Sequence, residues 1–342
     1  MANESNTTLL HIPSTYQILS VAFISLIITI GSIGNLVNIY FIYKTPSLHS
    51  FNNILIAHLA ISDFLQAILT LPMAILNSYL RFNSPIILCR AFAFTLNFLV
   101  MVSLAATSAI SIDRYFAVIY PYSYSAKMKI KYINIFIVST WLSAAITSGT
   151  PLLGLQRYGL GEYSFIADGL QCWFDFQHHQ KNRIAFIATF VYIVAAILVT
   201  MTSYLAIFYV ACHKGITDVS VVGYASLKRS IRTTALIVGS NLACFIPVLV
   251  GASISYFTKR DLPPGLTVAV YLLTFFNPAI NPVIYAYTNE ILRRKIKQYC
   301  YCPCNPRFRQ IKVRSNTTMS SLSCPNQLSQ ESNFILNQSI TV

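Results

Sequence analysis

The chain has 342 residues, 55% of them hydrophobic and only 10% charged, with a formal net charge of +14. Soluble domains carry about 25% charged residues, so the bulk of this chain must be solvated by lipid rather than by water. The positive charge gathers beside apolar spans, which makes it a membrane-surface feature and excludes nucleic acid as an expected partner.

Residues 1–16 are polar and carry the sequons Asn3-Glu4-Ser5 and Asn6-Thr7-Thr8, so Asn3 and Asn6 are candidate glycosylation sites on an extracellular tail. No Lys or Arg precedes Lys44, so a secretory signal with a basic start is not expected, and the first span should insert the chain itself. Seven apolar spans follow, at about 17–43, 53–79, 87–119, 131–154, 183–211, 230–258 and 264–288. Each exceeds the roughly 20 residues that a tilted helix needs to cross the hydrocarbon. The expected fold is an all-α membrane protein, a seven-transmembrane helix bundle over 17–288 with a short amphipathic eighth helix over 289–299. The remainder, 300–342, is rich in Ser, Thr, Asn and Gln and is expected to be a disordered cytoplasmic tail.

One set of loops and flanks holds Lys44; Lys127, Lys129 and Lys131; Lys214, Lys228, Arg229 and Arg232; and Arg293, Arg294, Lys295 and Lys297. The opposite set holds Arg81, Arg90, Arg157, Lys181, Arg183, Lys259 and Arg260, diluted by Glu162, Asp168, Asp175 and Asp261. The asymmetry assigns the first set to the cytoplasm and the amino terminus to the outside.

The third span has no charged side chain from Ala91 to Ile112 and then ends in Asp113-Arg114-Tyr115. Cys89 and Arg114 are separated by roughly 37 Å at the helical rise, so they stand at opposite membrane faces. This arrangement resembles the third helix of a rhodopsin-like (class A) G-protein-coupled receptor. The resemblance extends over about residues 17–300: Gly34-Asn35 in the first span, Leu59-Ala60-Ile61-Ser62-Asp63 in the second, Trp141 and Pro151 in the fourth, Pro247 in the sixth, and Asn281-Pro282-Val283-Ile284-Tyr285 in the seventh. The loop Leu170-Gln171-Cys172-Trp173-Phe174-Asp175-Phe176 is also similar to that of the opsin and melatonin-receptor group. Phe275 stands where visual pigments have their retinal-linking lysine, so no Schiff-base chromophore is expected.

The resemblance implies a disulfide between Cys89 and Cys172. It also implies that Asn35, Ser103, Asn277 and Asn281 gather round Asp63, either as an allosteric Na+ site or as a hydrogen-bonded network with Asp63 protonated. No other cofactor is expected. At the cytoplasmic end, Asp113 would hold Arg114 until activation frees the guanidinium, with Tyr204 and Tyr285 swinging in to support it. Arg114, Tyr115, Tyr122, Lys228, Arg232 and the Asn281-Pro282-Tyr285 motif would form the G-protein coupling switch. Leu227, Lys228 and Arg229 occupy the base of the sixth span, so the acid that often locks this arginine is absent and raised basal activity is expected. Ala196, Asn241 and Phe245 replace the family's usual proline, phenylalanine and tryptophan in the activation core.

Leu96 takes the position at which amine receptors carry an aspartate. Together with Asn97, Val100, Met101, Thr189, Tyr192, Phe245, Val248, Leu249, Tyr271 and Phe275 it lines either a pocket for a neutral, lipophilic small ligand or a tightly packed, occluded core. After Tyr285, Glu290 to Tyr299 reads as an amphipathic helix lying on membrane lipid, and Cys300, Cys302 and Cys304 are candidate palmitoylation sites. Ser and Thr between Ser315 and Ser323 offer sites for receptor kinases and hence arrestin, and Ile340-Thr341-Val342 is a candidate PDZ-binding end. The sequence contains no nucleophile–base pair or closed metal site, so an enzyme is not expected. The expected function is ligand-driven activation of a heterotrimeric G protein at the plasma membrane. The alternatives are a constitutively active receptor, a receptor-like partner that does not signal and, more remotely, a transporter or channel.

Overall fold

The computed structural model describes residues 14–80, 85–127, 129–166, 171–174, 179–213, 221–259, 262–289, 292–294 and 296. Among the described residues, 7 helices are long and apolar enough to cross a membrane. They run Ser14–Lys44, Phe51–Leu80, Ile86–Ile119, Ile130–Gly149, His179–His213, Val221–Thr258 and Pro264–Thr288. Lipid offers the backbone no hydrogen bonds, so each span must satisfy its own amides, and the helix does that. Hydroxyls inside the spans turn back onto the carbonyl four residues earlier, as Thr107 does to Ser103 and Ser203 to Val199, at 2.9 and 2.7 Å. Polar side chains of this kind therefore do not break the spans.

The third helix is the axis, with buried residues from Cys89 through Arg114. The second helix is not uniform. It is capped by the Ser50 hydroxyl, runs as an α-helix over Phe51–Leu65, widens to a π turn over Gln66–Thr70 and resumes over Leu71–Leu80. The widened turn lies just before Pro72, whose ring would clash with the carbonyl four residues back in a regular α-helix. The seventh helix carries Pro278 and Pro282. Because Pro282 has no N–H, the Pro278 carbonyl loses its helical donor, and the Asn35 Nδ2 donates to it at 2.8 Å. Gly34 makes that approach feasible, since a Cβ there would stand 2.7 Å from the Pro282 Cβ. The Gly34-Asn35 pair thus has a physical reason: one residue lets the helices meet and the next repairs the proline's broken ladder.

Between the fourth and fifth helices lies a hairpin, with β1 (Tyr163–Ile166) antiparallel to β2 (Gln171–Phe174) and Tyr163 opposite Phe174. The all-α reading did not anticipate these two short strands. Cys172 on β2 is disulfide-bonded to Cys89 at the start of the third helix. Tyr163 and Phe174 pack with ring centroids 5.0 Å apart, and the Tyr163 hydroxyl donates to the Ser148 carbonyl at 2.9 Å. Burial pushes the Tyr163 phenol above its ordinary range, so it remains a donor.

The spans belong to a compact unit, Met1–Arg293; of a second, Arg294–Val342, the described residues are Arg294 and Ile296, both helical. In the first unit the Asn289 side chain accepts from the Leu292 amide at 3.0 Å, a helix cap at the expected start of the eighth helix. Leu292 is buried within the protein, whereas the amphipathic reading turns it toward lipid, and Arg293 is exposed. Asn3, Asn6, Cys300, Cys302, Cys304 and the tail's Ser, Thr and terminal residues lie outside the described residues.

Candidate functional site

At one end of the third helix Asp113 is fully buried and Arg114 nearly so. The arginine's Nε donates to Asp113 Oδ2 at 2.9 Å, and its NH2 group closes a second contact with the same oxygen. The other carboxylate oxygen accepts from the Tyr124 hydroxyl at 2.6 Å. Tyr124 belongs to the short helix Pro121–Lys127, and its ring meets Phe51 edge-on at 6.3 Å. Burial, and then the Asp113 charge, push its phenol above the ordinary range, so the proton stays on the donor. Sequence reasoning paired Asp113 with Arg114 and missed Tyr124, which is ten residues beyond Arg114 and has no motif of its own. Tyr124→Phe is expected to lower stability by about 1.5–3 kcal/mol, the range for a hydrogen bond to a charged group. Tyr122→Phe, at an 84% exposed ring, should leave the melting temperature unchanged in the same thermal-unfolding assay.

The other residues assigned to this switch are distributed more widely. Tyr115 packs edge-on against Phe116 and Tyr120 at 5.4 and 6.2 Å. Arg232 lies with its guanidinium 5.8 Å from the Tyr287 ring, joining the sixth helix to the seventh. The Tyr285 hydroxyl donates to Asn53 Oδ1 at 3.0 Å, so here it serves the second helix. Tyr204 is half-buried in the fifth helix, and the Lys228 side chain lies outside the described residues.

Midway along the bundle, Asp63 has no solvent exposure. Its Oδ2 accepts from Asn281 Nδ2 at 2.8 Å and its Oδ1 from the Ser103 hydroxyl at 3.4 Å. Asn277 donates to Ser103 Oγ at 3.2 Å and so reaches Asp63 through one intermediary. Asn35 does not donate to the carboxylate; its two donated bonds go to the Gly31 and Pro278 carbonyls. The Oδ1 atoms of Asn35, Asn277 and Asn281 are buried without a hydrogen-bond partner among the described residues. Among the described residues no group of three or more His, Cys, Asp or Glu could hold a metal, so any ion here would sit on one carboxylate and neutral oxygens.

Toward the Cys89 end, the residues read as a pocket separate into two sets. Leu96, Val100, Phe245 and Phe275 lie in one buried cluster with Cys89, Phe92, Cys172 and the hairpin's Tyr163 and Phe174. Asn97 turns to the fourth helix instead, donating to the Ser148 hydroxyl at 3.0 Å. Met101 packs there too, in a cluster with Val102 and Ala144 that Trp141 and Tyr192 flank. Tyr192 donates to the Met101 carbonyl at 3.4 Å, while Thr189 is buried and its hydroxyl has no partner among the described residues. Val248, Leu249 and Tyr271 are half-buried. The spacing could not separate these sets, because adjacent positions of a central helix face different neighbours.

The altered positions keep their helices intact. Ala196, which unlike proline leaves the fifth helix regular, offers its carbonyl to the Ser108 hydroxyl at 3.0 Å. Asn241 is fully buried and donates to the Ile237 carbonyl in its own helix. Trp141 donates to His58 Nε2 at 2.8 Å, tying the fourth helix to the second.

With this geometry in view, a family model for the 7 transmembrane receptor (rhodopsin family) matches residues 34–285. Trace amine-associated receptor 1 of Mus musculus is 29% identical over 292 residues, covering 81% of this chain and 86% of that receptor. Adenosine receptor A2b of Gallus gallus is 25% identical over 288 residues, covering 77% and 83%. The crystal structure of squid rhodopsin matches with a TM-score of 0.72 at 22% identity, covering 91% of this chain and 94% of that one. The chain belongs to the rhodopsin family of seven-transmembrane receptors, and so is a multi-pass membrane receptor rather than an enzyme.

Proposed function

We propose that this receptor lies in the plasma membrane with its amino terminus outside and converts binding of a neutral, lipophilic small ligand into activation of a heterotrimeric G protein. The observation that carries the reading is the buried Arg114, held by Asp113 and backed by Tyr124, at the opposite end of the third helix from the Cys89 disulfide. Release of that arginine would open a floor for the α subunit's terminal helix, with Tyr122, Lys228 and Arg232 at its margin. Two similar receptors carry trace amine or octopamine in their names. Against a cationic amine here stands Leu96, 2% exposed in an apolar cluster, where a charged ligand would lose hydration without a counter-ion.

A constitutively active receptor is the second reading. The burial of Tyr163 and Phe174 with Leu96, Val100, Phe245 and Phe275 supports it, because the chain's own hairpin then fills much of the space a ligand would take. A Na+ ion between Asp63 and the unpartnered asparagine oxygens fits the donor set, since a buried carboxylate gains from one compensating positive charge. Glycosylation at Asn3 and Asn6, palmitoylation at Cys300, Cys302 and Cys304, kinase and arrestin engagement of the tail and a PDZ contact at Val342 complete the proposal.

The test is ligand-free G-protein activation for the intact receptor and Arg114→Ala, matched for surface expression, across a panel of α subunits. Basal coupling that falls to the mock-transfected level in Arg114→Ala is the expected result. Coupling unchanged by Arg114→Ala would remove the arginine from the mechanism, and no coupling to any α subunit would set aside constitutive activity and leave a silent receptor awaiting its ligand or a non-signalling partner.

A further inference from the structure

We propose that Gln66 and Thr70 form the polar anchor of a ligand subsite on the second helix, taking an uncharged planar group with a hydrogen-bond donor and acceptor side by side, as in a carboxamide or lactam. The proposal rests on the reading that the ligand is neutral, and it adds a position on the second helix that none of the assigned pocket residues occupies.

Both side chains have no solvent exposure. Among the described residues, neither amide atom of Gln66 nor the hydroxyl of Thr70 has a hydrogen-bond partner. In hydrocarbon surroundings such groups are costly to leave unsatisfied, and each calls for an explanation. Thr70 also differs from Thr95, Thr107 and Thr140, each of which bonds the carbonyl four residues back. In the π turn Gln66–Thr70, the Gln66 carbonyl accepts the amide of Leu71, five residues on. The turn is thus re-aimed at the point where the two polar side chains occur, and π turns of this kind are frequent at functional sites.

The Ser103–Asp63 bond fixes the level of the second helix against the third. These helices run in opposite directions, so one turn toward the Cys89 end sets Gln66 level with Val100, and a second sets Thr70 level with Leu96. At about 1.5 Å per residue, the two lie roughly 4.5 and 10 Å beyond Asp63. Val100, Leu96, Ala67 and Leu71 are all buried and apolar. An amide and a hydroxyl among apolar neighbours are the composition of a small-molecule site, with few polar groups fixing orientation. The chemistry also sets the ligand class. A glutamine side chain donates and accepts side by side, and its complement is another amide. The nearest charge along this helix, Asp63, lies one to two turns deeper, so a charged ligand group at Gln66 and Thr70 would lose hydration with no counter-ion beside it.

The experiment is thermal unfolding of the purified full-length receptor in lipid nanodiscs, with millimolar benzamide as the probe and ethylbenzene as the apolar control. Benzamide should raise the wild-type midpoint by about 2 °C or more and ethylbenzene should not. Gln66→Leu should abolish the shift and raise the midpoint of the unliganded receptor, because it removes the unpartnered amide. Thr70→Val should reduce the benzamide shift. Absence of a wild-type shift, a shift surviving Gln66→Leu, or a lower unliganded midpoint in Gln66→Leu would overturn the proposal; the last would mean that a packed, hydrated network uses the amide. Coupling that depends on Arg114 is measured separately, so failure of the signalling reading and failure of this subsite are told apart.

Discussion

Cys172→Ser is expected to free the β1–β2 hairpin and lower stability by about 2–5 kcal/mol, the usual range for losing a native disulfide. The Cys89–Cys172 bond spans 83 residues of sequence, a long loop by the chain-entropy account. In a membrane receptor that account overstates the gain, because spans that stay inserted already restrict the unfolded chain. The effect should therefore be local. Tyr163 and Phe174 are buried under the hairpin's own closure, and Tyr163 is further held by the Ser148 carbonyl. Without the disulfide, the hairpin keeps its own ladder, the Tyr163–Phe174 packing and the bond to Ser148, but loses its covalent tie to the third helix. Hydrogen exchange should rise across Tyr163–Phe174 while the centre of the third helix keeps its protection. If exchange in the hairpin is unchanged in Cys172→Ser, ring packing alone fixes it and the bond is dispensable to this fold.

Much of this architecture was legible because lipid imposes a simple rule on composition. Seven long apolar spans with basic flanks leave little choice of fold, and the helices begin and end within about five residues of their spans, except that the sixth starts at Val221, nine residues before its span. Motif residues were legible where their role is covalent or charged: Cys89 with Cys172, Asp113 with Arg114, and Asp63 with Asn281. What escaped was set by packing between distant segments. Tyr124 has meaning only once the Pro121–Lys127 helix folds beneath Asp113. Asn97 turned out to serve Ser148, 51 residues away, because on the central helix every face has a neighbour. The π turn had a local signal in Pro72, but a proline inside a span is equally compatible with a simple kink. The hairpin's strands are 4 residues each, too short for an alternating pattern to stand out.

The Asp63 cluster yields the second large effect, and it discriminates between two chemical states. If the carboxylate is ionised and holds Na+, replacing potassium by sodium at constant ionic strength should stabilise the wild-type receptor. A tenfold excess over the dissociation constant contributes about 1.4 kcal/mol, a shift of several degrees. Asp63→Asn should erase that sodium dependence. It keeps one acceptor, for Asn281, and its new NH2 can donate to the Ser103 hydroxyl oxygen, while the buried charge is removed, so its sodium-free midpoint should equal or exceed the wild type's. Asn281→Ala acts in the opposite sense. It deletes the shorter of the two donated bonds and leaves a buried carboxylate with Ser103 at 3.4 Å, costing about 1–3 kcal/mol or more. A wild type indifferent to sodium, with Asp63→Asn equally stable, would instead identify a protonated network in which the acid is one more hydrogen-bonding group. The unpartnered oxygens of Asn277 and Asn281 favour the ion: two buried acceptors linked to one carboxylate need positive charge or donors, and a single acid proton can serve only one of them.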